Sequence, residues 1–129
     1  IVREGGAIII ATACEDGLPN HGLYAELLAK AGSPRACMDM ISEPGFCEQD
    51  QWQVQVQAQI QLHADVYVYT DGLTEQQIAD ALFIPTRSVE QTVTELLDRY
   101  GPGARICVMP EGPLTIPYLR RETAGAGPA

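Results

Sequence analysis

The chain has 129 residues, 46% of them hydrophobic, and its 8 Lys+Arg against 17 Asp+Glu give a formal net charge of -9 at pH 7. This length suits one domain with a hydrophobic core and is too short for two ordinary domains. The negative charge disfavours a nucleic acid bound through its phosphates, and no apolar run approaches the roughly 20 residues that span a bilayer.

The first residues carry no basic region followed by a long apolar core, so they predict no secretory signal. Ile1 stands where a methionine would begin a protein, and we expect a piece of a longer, cytoplasmic protein. The cysteines show no C-x-x-C spacing, so they predict buried free thiols and no metal site. They are Cys14, Cys37, Cys47 and Cys107.

The first predicted element is a strand that is apolar on both faces. Thr12 is the one polar residue between positions 7 and 13, which is typical of a central parallel strand with helices on both sides. Ligands of such sheets bind beyond the carboxyl ends of the strands, so Cys14, Asp16 and Gly17 in the next turn are candidate site residues. The two acids of this turn oppose a phosphate cradle, and a solvated acidic turn is the alternative interpretation.

Two short helices are predicted next. Asn20 can cap the first helix, which extends to Ala31. Ser33 predicts the N-cap of the second helix, with Pro34 at its first position, and the turn signal at residues 43–45 ends it.

The segment from Gln51 to Leu62 contains conflicting signals. Glutamine alternates with apolar residues there, and a period of two favours a strand. However, a second strand at 66–69 follows without a Gly, Pro or Asn between them, and one strand over both would be about twice the usual length. Because a parallel pair also needs a crossover helix, we predict a helix from Cys47 to His63. Its apolar residues cover most of its circumference, so we expect burial on most sides or contact with an absent partner domain.

The remaining elements alternate helices with strands, and Thr74 and Ser88 predict the N-caps of the two helices. In chain order we expect a helix at 75–82, an extended piece at 83–85, a helix at 89–100, a strand at 104–109, a closing loop at 110–113 and a flexible Gly-rich tail at 122–129. The sequence therefore predicts one α/β domain over residues 1–121, with three layers: a mostly parallel sheet of three to four strands and helices on both faces.

Trp52 is the only tryptophan, and it lies at the start of the long predicted helix. Helical spacing places Gln51 beside Gln55, and Asp50 precedes them. An indole over a flat ligand, flanked by amide groups, would form one wall of a cofactor site. A core tryptophan on a buried helix is the alternative.

Glu111 and Gly112 follow the last predicted strand, which would place them at the carboxyl edge of the sheet. A proline-stiffened loop without a binding role is the alternative. His21 and His63 have no second ligand at metal-binding spacing, so we interpret each as a helix-terminus residue.

Together, several motifs resemble the carboxyl-terminal domain of the lactate racemase family, the nickel-pincer-nucleotide enzymes and their uncharacterised relatives. The motifs are Val2-Arg3-Glu4-Gly5-Gly6-Ala7-Ile8-Ile9-Ile10, Cys14-x-Asp16-Gly17, Asp50-Gln51-Trp52-x-x-Gln55 and Pro110-Glu111-Gly112-x-x-Thr115-Ile116-Pro117. None is specific alone, but their order and spacing cover nearly the whole chain.

The resemblance implies a larger amino-terminal domain that carries the catalytic histidines and the residues that hold the nickel-pincer nucleotide. Catalytic residues and metal ligands are therefore expected outside this chain. The present domain would close over the cofactor and a small 2-hydroxy acid, with Trp52 facing the cofactor. The implied reaction is racemisation or epimerisation at the hydroxyl-bearing carbon.

Two departures from the family pattern fall in the turn after the first strand. Ala13 stands where an acid usually precedes the cysteine, and Pro19 stands where a second glycine is common. They leave the substrate open and keep a rival function, a non-catalytic interaction or regulatory domain of the same fold. A free-standing doubly wound domain that binds a small metabolite ranks third, because the chain has no phosphate loop.

Overall fold

A parallel sheet of three strands forms the centre of the molecule, as a computed structural model shows for residues 1–19 and 21–119. The strands are β1 (Gly6–Ala11), β2 (Ala64–Tyr69) and β3 (Ile84–Pro85), in the spatial order β1-β2-β3. β1 pairs with β2 along its whole length, from Gly6 opposite Ala64 to Ala11 opposite Tyr69. The two residues of β3 pair with the other edge of β2. The prediction of an α/β fold with a mostly parallel sheet is confirmed.

Five α-helices and one 3-10 helix accompany the sheet in the described part of the chain. They are α1 (Tyr24–Ala31), α2 (Pro34–Ile41), α3 (Gln51–His63), α4 (Glu75–Asp80), α5 (Val89–Tyr100) and the 3-10 helix Gly112–Leu114. Among the described residues, no helix is both long and apolar enough to cross a bilayer.

α3 leads directly to the amino ends of the strands, which we call the amino edge of the sheet; the carboxyl ends form the carboxyl edge. It passes directly into β2, and its last carbonyl, that of His63, accepts a hydrogen bond of 2.8 Å from the Gly5 N–H just before β1. Its 13 residues extend roughly 20 Å at about 1.5 Å per residue, which matches the length of a six-residue strand. The carboxyl end of α3 therefore lies at the amino edge of the sheet. Its amino end, with Trp52, lies toward the carboxyl edge, because Asp50 accepts the N–H of Leu23 from the segment that follows the turn after β1.

Helices cover both faces of the sheet. On one face, Arg99 of α5 forms an ion pair of 2.7 Å with Asp65 of β2, and the Tyr100 hydroxyl donates a hydrogen bond of 3.0 Å to the Gly5 carbonyl. The side chains on the opposite face of β2 are all buried. They are Ala64, Val66 and Val68.

The main hydrophobic core lies between α1, α2, α3 and the end of α4. Its buried members are Leu27, Leu28, Cys37, Val54, Ala58 and Ala81. Val54 and Ala58 lie one helical turn apart and form the buried face of α3. Leu18, which follows the turn after β1, packs against this core, so the core fixes the position of that turn.

Side-chain caps begin three helices, as the sequence predicted from Ser33, Thr74 and Ser88. The hydroxyls of Ser33 and Ser88 each accept a hydrogen bond from the N–H three residues later, at 3.2 and 3.1 Å. Thr74 forms a reciprocal capping box with Gln77. These bonds satisfy N–H groups that the first helical turn leaves without a partner.

The structure corrects three predicted elements. β1 is an edge strand and not the central one, because β2 is the middle strand of the sheet, and Ile10 of β1 is exposed at 41%. α3 begins at Gln51 and not at Cys47, because Asp50 has a left-handed backbone with a φ of 65° that a helix does not accept. Residues 104–109 form no strand. Ile106 and Val108 are exposed at 60% and 78%, since no neighbouring strand within the described residues covers them.

The structure also corrects the prediction of buried thiols. Cys37 is buried in the core, but Cys14 is half-buried and Cys47 and Cys107 are exposed, because these three lie in loops. The prediction that Asn20 caps the first helix is wrong, because α1 begins at Tyr24 and its N-cap is Leu23. Asn20 itself and the tail at 122–129 lie outside the described residues.

Candidate functional site

Two turns form one continuous wall at the carboxyl edge of the sheet. After β1, the Gly17 N–H donates a hydrogen bond of 2.9 Å to the Cys14 carbonyl. After β2, the Thr70 hydroxyl donates a hydrogen bond of 2.9 Å to the Ala13 carbonyl and accepts one of 3.0 Å from the Gly72 N–H. A Cβ at Gly72 would lie only 2.3 and 2.4 Å from the carbonyl oxygens of Ala13 and Cys14. Glycine at this position therefore allows the two turns to touch.

Asp50 joins the start of α3 to the segment that leads into α1. Its Oδ2 accepts a hydrogen bond of 2.9 Å from the Leu23 N–H, and Leu23 is the N-cap of α1 without a side-chain cap of its own. A Cβ at Gly22 would lie 1.9 Å from this same oxygen. Asp50 is therefore a positioning residue, because its carboxylate holds two segments that are distant in sequence.

The Gln51 side chain binds the backbone of the loop that precedes α3. Its Oε1 accepts a hydrogen bond of 2.8 Å from the Glu48 N–H, which fixes the amide group next to the helix start. Gln55 lies one turn later and is half-buried. The spacing that predicted a pair of neighbouring amides is present, and one of the two amides already has a partner within the domain.

Trp52 is exposed at 63% on the first turn of α3. The alternative interpretation as a core tryptophan is therefore wrong. The indole lies on the outer face of the helix because Val54 and Ala58 occupy the inner face. A large exposed aromatic side chain at the carboxyl edge is available to a ligand or to another domain.

The surroundings of this edge are acidic and open. Glu15 and Asp16 are exposed in the turn after β1. A shallow depression beside the start of α3 is lined by Leu23, Glu26, Leu27, Lys30 and Glu48. In the described part of the chain, no group of three or more His, Cys, Asp or Glu side chains is arranged to hold a metal ion. The edge therefore offers acceptors and one indole, but no metal site made by these residues.

The closing loop is largely exposed in the structure, with Leu114 exposed at 82%. Glu111 precedes the 3-10 helix that begins at Gly112, and the Thr115 hydroxyl donates a hydrogen bond of 2.9 Å to the Glu111 carbonyl. Within the described residues, the hydrogen bonds of this loop are all local. The expected position depended on a strand at 104–109, and the absence of that strand removes the reason for it.

The sequence interpretation missed a polar network inside the domain. The Tyr24 hydroxyl donates a hydrogen bond to Gln57 Oε1, Gln57 Nε2 donates one of 2.7 Å to the Ala81 carbonyl, and Gln61 Nε2 donates one to the Leu82 carbonyl. Burial, followed by the nearby Cys37, raises the pKa of Tyr24 to about 12. Glutamines four residues apart on an otherwise apolar helix were the available signal. The network holds the two residues that follow α4 against α3.

His63 has the predicted helix-terminus role, because it is the last residue of α3. Its Nε2 lies 2.8 Å from the Val2 carbonyl oxygen. His21 is exposed in the segment before α1.

Comparisons of sequence and of structure with known proteins all find lactate racemase. The family model described as lactate racemase C-terminal domain matches residues 1–116. Lactate racemase from Thermoanaerobacterium thermosaccharolyticum is 28% identical over 112 residues, which is 85% of this chain and 26% of that protein. The solved structure of the lactate racemase apoprotein from the same organism matches with a TM-score of 0.62 and 24% identity, over 74% of this chain and 23% of that chain.

The structural match shows the same fold, and the chain spans about a quarter of the length of either relative. The family match covers the sheet, all five helices and the exposed segment up to Ile116. This chain therefore belongs to the lactate racemase C-terminal domain family.

Proposed function

We propose that this chain is the carboxyl-terminal domain of a two-domain racemase or epimerase that acts on a small 2-hydroxy acid. Its role is to close the cofactor and substrate cleft that it forms with a larger amino-terminal domain. The supporting observation is Trp52, which is exposed at 63% on the first turn of α3, next to Asp50, whose carboxylate binds the segment that leads into α1. The alignment with about a quarter of lactate racemase leaves residues for such a second domain.

The residues at the carboxyl edge fit the role of a wall and not of a metal ligand set. The indole of Trp52 offers a flat apolar surface and one N–H donor. The amide of Gln55 can orient polar groups of a ligand, whereas Asp50 and Gln51 hold the helix start through their bonds to Leu23 and Glu48. Such positioning of a reactant by rigid groups contributes to rate by restricting its orientation.

In this proposal the chemistry that a bound nickel-pincer nucleotide would supply is acceptance and return of a hydride at the hydroxyl-bearing carbon. The present domain contributes burial of that chemistry. When the cleft closes, Trp52 excludes water from one side, and the touching turns at Ala13 and Gly72 form a rigid rim. Water exclusion strengthens the electrostatic interactions inside the cleft.

The proposal is tested with Trp52→Ala and Trp52→Phe in the full-length protein. We expect Trp52→Ala to lower kcat/KM for the 2-hydroxy acid by roughly tenfold or more, because the wall is lost, and Trp52→Phe to retain more activity. Leu97→Ala on α5 is the matched control, since Leu97 is also an exposed apolar side chain, at 40%. Unchanged activity and unchanged nickel content in Trp52→Ala would exclude this role.

The rival function is a non-catalytic interaction or regulatory domain of the same fold. Ala13 and Pro19 support it, because both departures from the family pattern are exposed residues in the segment after β1. Sequencing the preceding region decides between the two functions. A pair of histidines and a cofactor lysine upstream would support the racemase, and their absence would favour the rival.

A further inference from the structure

The outer face of α3 exposes several large apolar side chains besides Trp52. Trp52, Val56 and Ile60 follow one another at four-residue intervals and are exposed at 63%, 50% and 44%. Leu62, exposed at 40%, lies at the opposite margin of the exposed face, beyond Gln59 and His63. We call these four side chains the α3 stripe. Contiguous exposed apolar surface of this kind marks interaction sites. We therefore expect another protein segment to bind the stripe.

The charge pattern supports the same conclusion. No Asp, Glu, Lys or Arg occurs between Asp50 and Asp65, although the chain carries 25 such residues and a net charge of -9. The polar residues beside the stripe are glutamines and His63. Cores of protein interfaces are depleted in charged residues in the same way.

The chain enters the domain beside the carboxyl end of the stripe. His63 Nε2 lies 2.8 Å from the Val2 carbonyl oxygen, and the His63 carbonyl accepts the hydrogen bond from Gly5. His63 follows Ile60 by less than one helical turn. In a longer protein, residues that precede Ile1 would therefore arrive next to Ile60.

We infer that the preceding domain of the same polypeptide docks on Val56, Ile60 and Leu62 and covers them in every state of the protein. The carboxyl half of α3 is then the fixed contact between the domains, and Trp52 at its amino end faces the cleft. This inference rests on the two-domain protein of the proposed function, and it adds which surface the partner domain covers. The lactate racemase relative, of which this chain matches 26%, has the length for such a domain.

A second copy of this chain is the less favourable occupant. Stable interfaces bury about 1,200–2,000 Å² in total, and a few side chains along one helix provide only part of that area. Two copies would also bring two net charges of -9 together. A domain on the same polypeptide needs less area, because the connection raises its effective concentration to the millimolar range.

Hydroxyl-radical footprinting by mass spectrometry tests the inference without any substitution. We expect oxidation of Val56, Ile60 and Leu62 to be at least fivefold slower in the full-length protein than oxidation of Leu97, whose exposed fraction here is 40%. Labelling of Val56, Ile60 and Leu62 equal to that of Leu97 would overturn the inference. Protection that disappears on dilution, with a dimer in sedimentation velocity, would show that a second copy covers the stripe and would also overturn it.

A charge on the stripe provides the second test. We expect Ile60→Glu in the full-length protein to increase the rate of proteolytic cleavage between the domains at least tenfold and to enlarge the radius of gyration in solution scattering. Leu97→Glu, a similarly exposed site on α5, should leave both values unchanged. An equal effect of the two substitutions, or no effect of Ile60→Glu, would contradict the inference.

The two proposals fail in different ways. If the wild-type protein holds no nickel and interconverts no 2-hydroxy acid, the proposed function fails, while protection of Val56 and Ile60 still supports docking. If the protein is an active nickel enzyme but Val56, Ile60 and Leu62 are as reactive as Leu97, the docking surface is wrong and the function stands.

Discussion

At the scale of single residues, the positions near the site are determined by a few polar side chains. Asp50 accepts the Leu23 N–H at 2.9 Å and has a φ of 65°. Aspartate and asparagine tolerate this backbone better than most residues. The Asp50 carboxylate therefore fixes the start of α1 relative to the start of α3, which carries Trp52.

The role of Asp50 predicts a difference between two substitutions in the 129-residue chain. Asp50→Ala should lower the free energy of unfolding by about 1–2 kcal/mol, because it removes the acceptor of the Leu23 N–H. Asp50→Asn should lower it by less, since asparagine keeps an oxygen acceptor and the backbone tolerance. Urea denaturation measures both values, and equal losses would contradict the role.

Replacement of Gln57 should destabilise the domain more than replacement of Gln59, an exposed glutamine of α3. Gln57→Leu should lower the free energy of unfolding by about 1–3 kcal/mol, because the Ala81 carbonyl and the Tyr24 hydroxyl lose their partner in the interior. Gln59→Leu on the exposed face is the control, and a change within about 0.5 kcal/mol is expected there. Similar values for the two variants would show that the network has no energetic role.

Tyr24 predicts loss of stability at alkaline pH. Its pKa is raised from 10.0 to about 12 by burial and then by Cys37, so the folded state favours the neutral phenol. The contribution is therefore fully present below pH 10 and is lost as the pH rises from 10 to 12. We expect the Tyr24→Phe variant to show a flatter decline than wild type in this range, by about 1–2 kcal/mol. Denaturation at several pH values measures it, and identical slopes would refute the assignment.

At the scale of elements, α3 has two apolar faces with different environments. Val54 is completely buried and Val56 is exposed at 50%, although both belong to the alternating pattern that resembled a strand. The helix rotates by 100° per residue, so two positions along it is enough to move a side chain from the core to the surface. The same pattern therefore serves the core of this domain and the surface that we assign to a second domain.

This contrast predicts that the same substitution, valine to alanine, lowers the free energy of unfolding much more at position 54 than at position 56. In the 129-residue chain, Val54→Ala should lower the free energy of unfolding by about 2 kcal/mol, because it removes buried methyl groups and leaves a cavity. Val56→Ala should change it by less than about 0.5 kcal/mol. Thermal and urea unfolding provide the comparison. A large effect at Val56 in the isolated chain would show that the stripe is covered within this domain.

At the scale of the whole molecule, α5 packs on one face of the sheet, whereas the segment 104–119 is largely exposed. α5 is held across the strands by the ion pair between Arg99 and Asp65 and by Tyr100. The segment 104–119, in contrast, exposes a series of large apolar side chains. They are Ile106, Val108, Leu114, Ile116, Tyr118 and Leu119.

This exposure predicts that the segment adds little to the stability of the domain itself. Val108→Ser, at a position exposed at 78%, should change the free energy of unfolding of the 129-residue chain by less than about 0.5 kcal/mol. Val68→Ser in β2, at a position exposed at 6%, should lower it by several times as much. If Val108→Ser were equally destabilising, the segment would be packed in solution.

The sequence alone was sufficient for features that depend on neighbouring residues. Ser33, Thr74 and Ser88 were identified as caps because a capping hydrogen bond joins atoms only three residues apart. β1 and β2 were recognisable from continuous apolar runs, and α3 from its length and its position between parallel strands. The resemblance to the family was visible because its motifs keep their order along the chain.

The tertiary structure decided the features that join distant segments. Asp50 meets Leu23 across 27 positions of sequence, and Gln57 meets Ala81 across 24, so no local pattern could reveal either contact. Residues 104–109 include an apolar run that is typical of a strand, but a strand also needs a neighbour, and the sequence cannot show that the described chain provides none. The exposure of Trp52 was undecided for the same reason, because burial depends on which other elements pack against a helix.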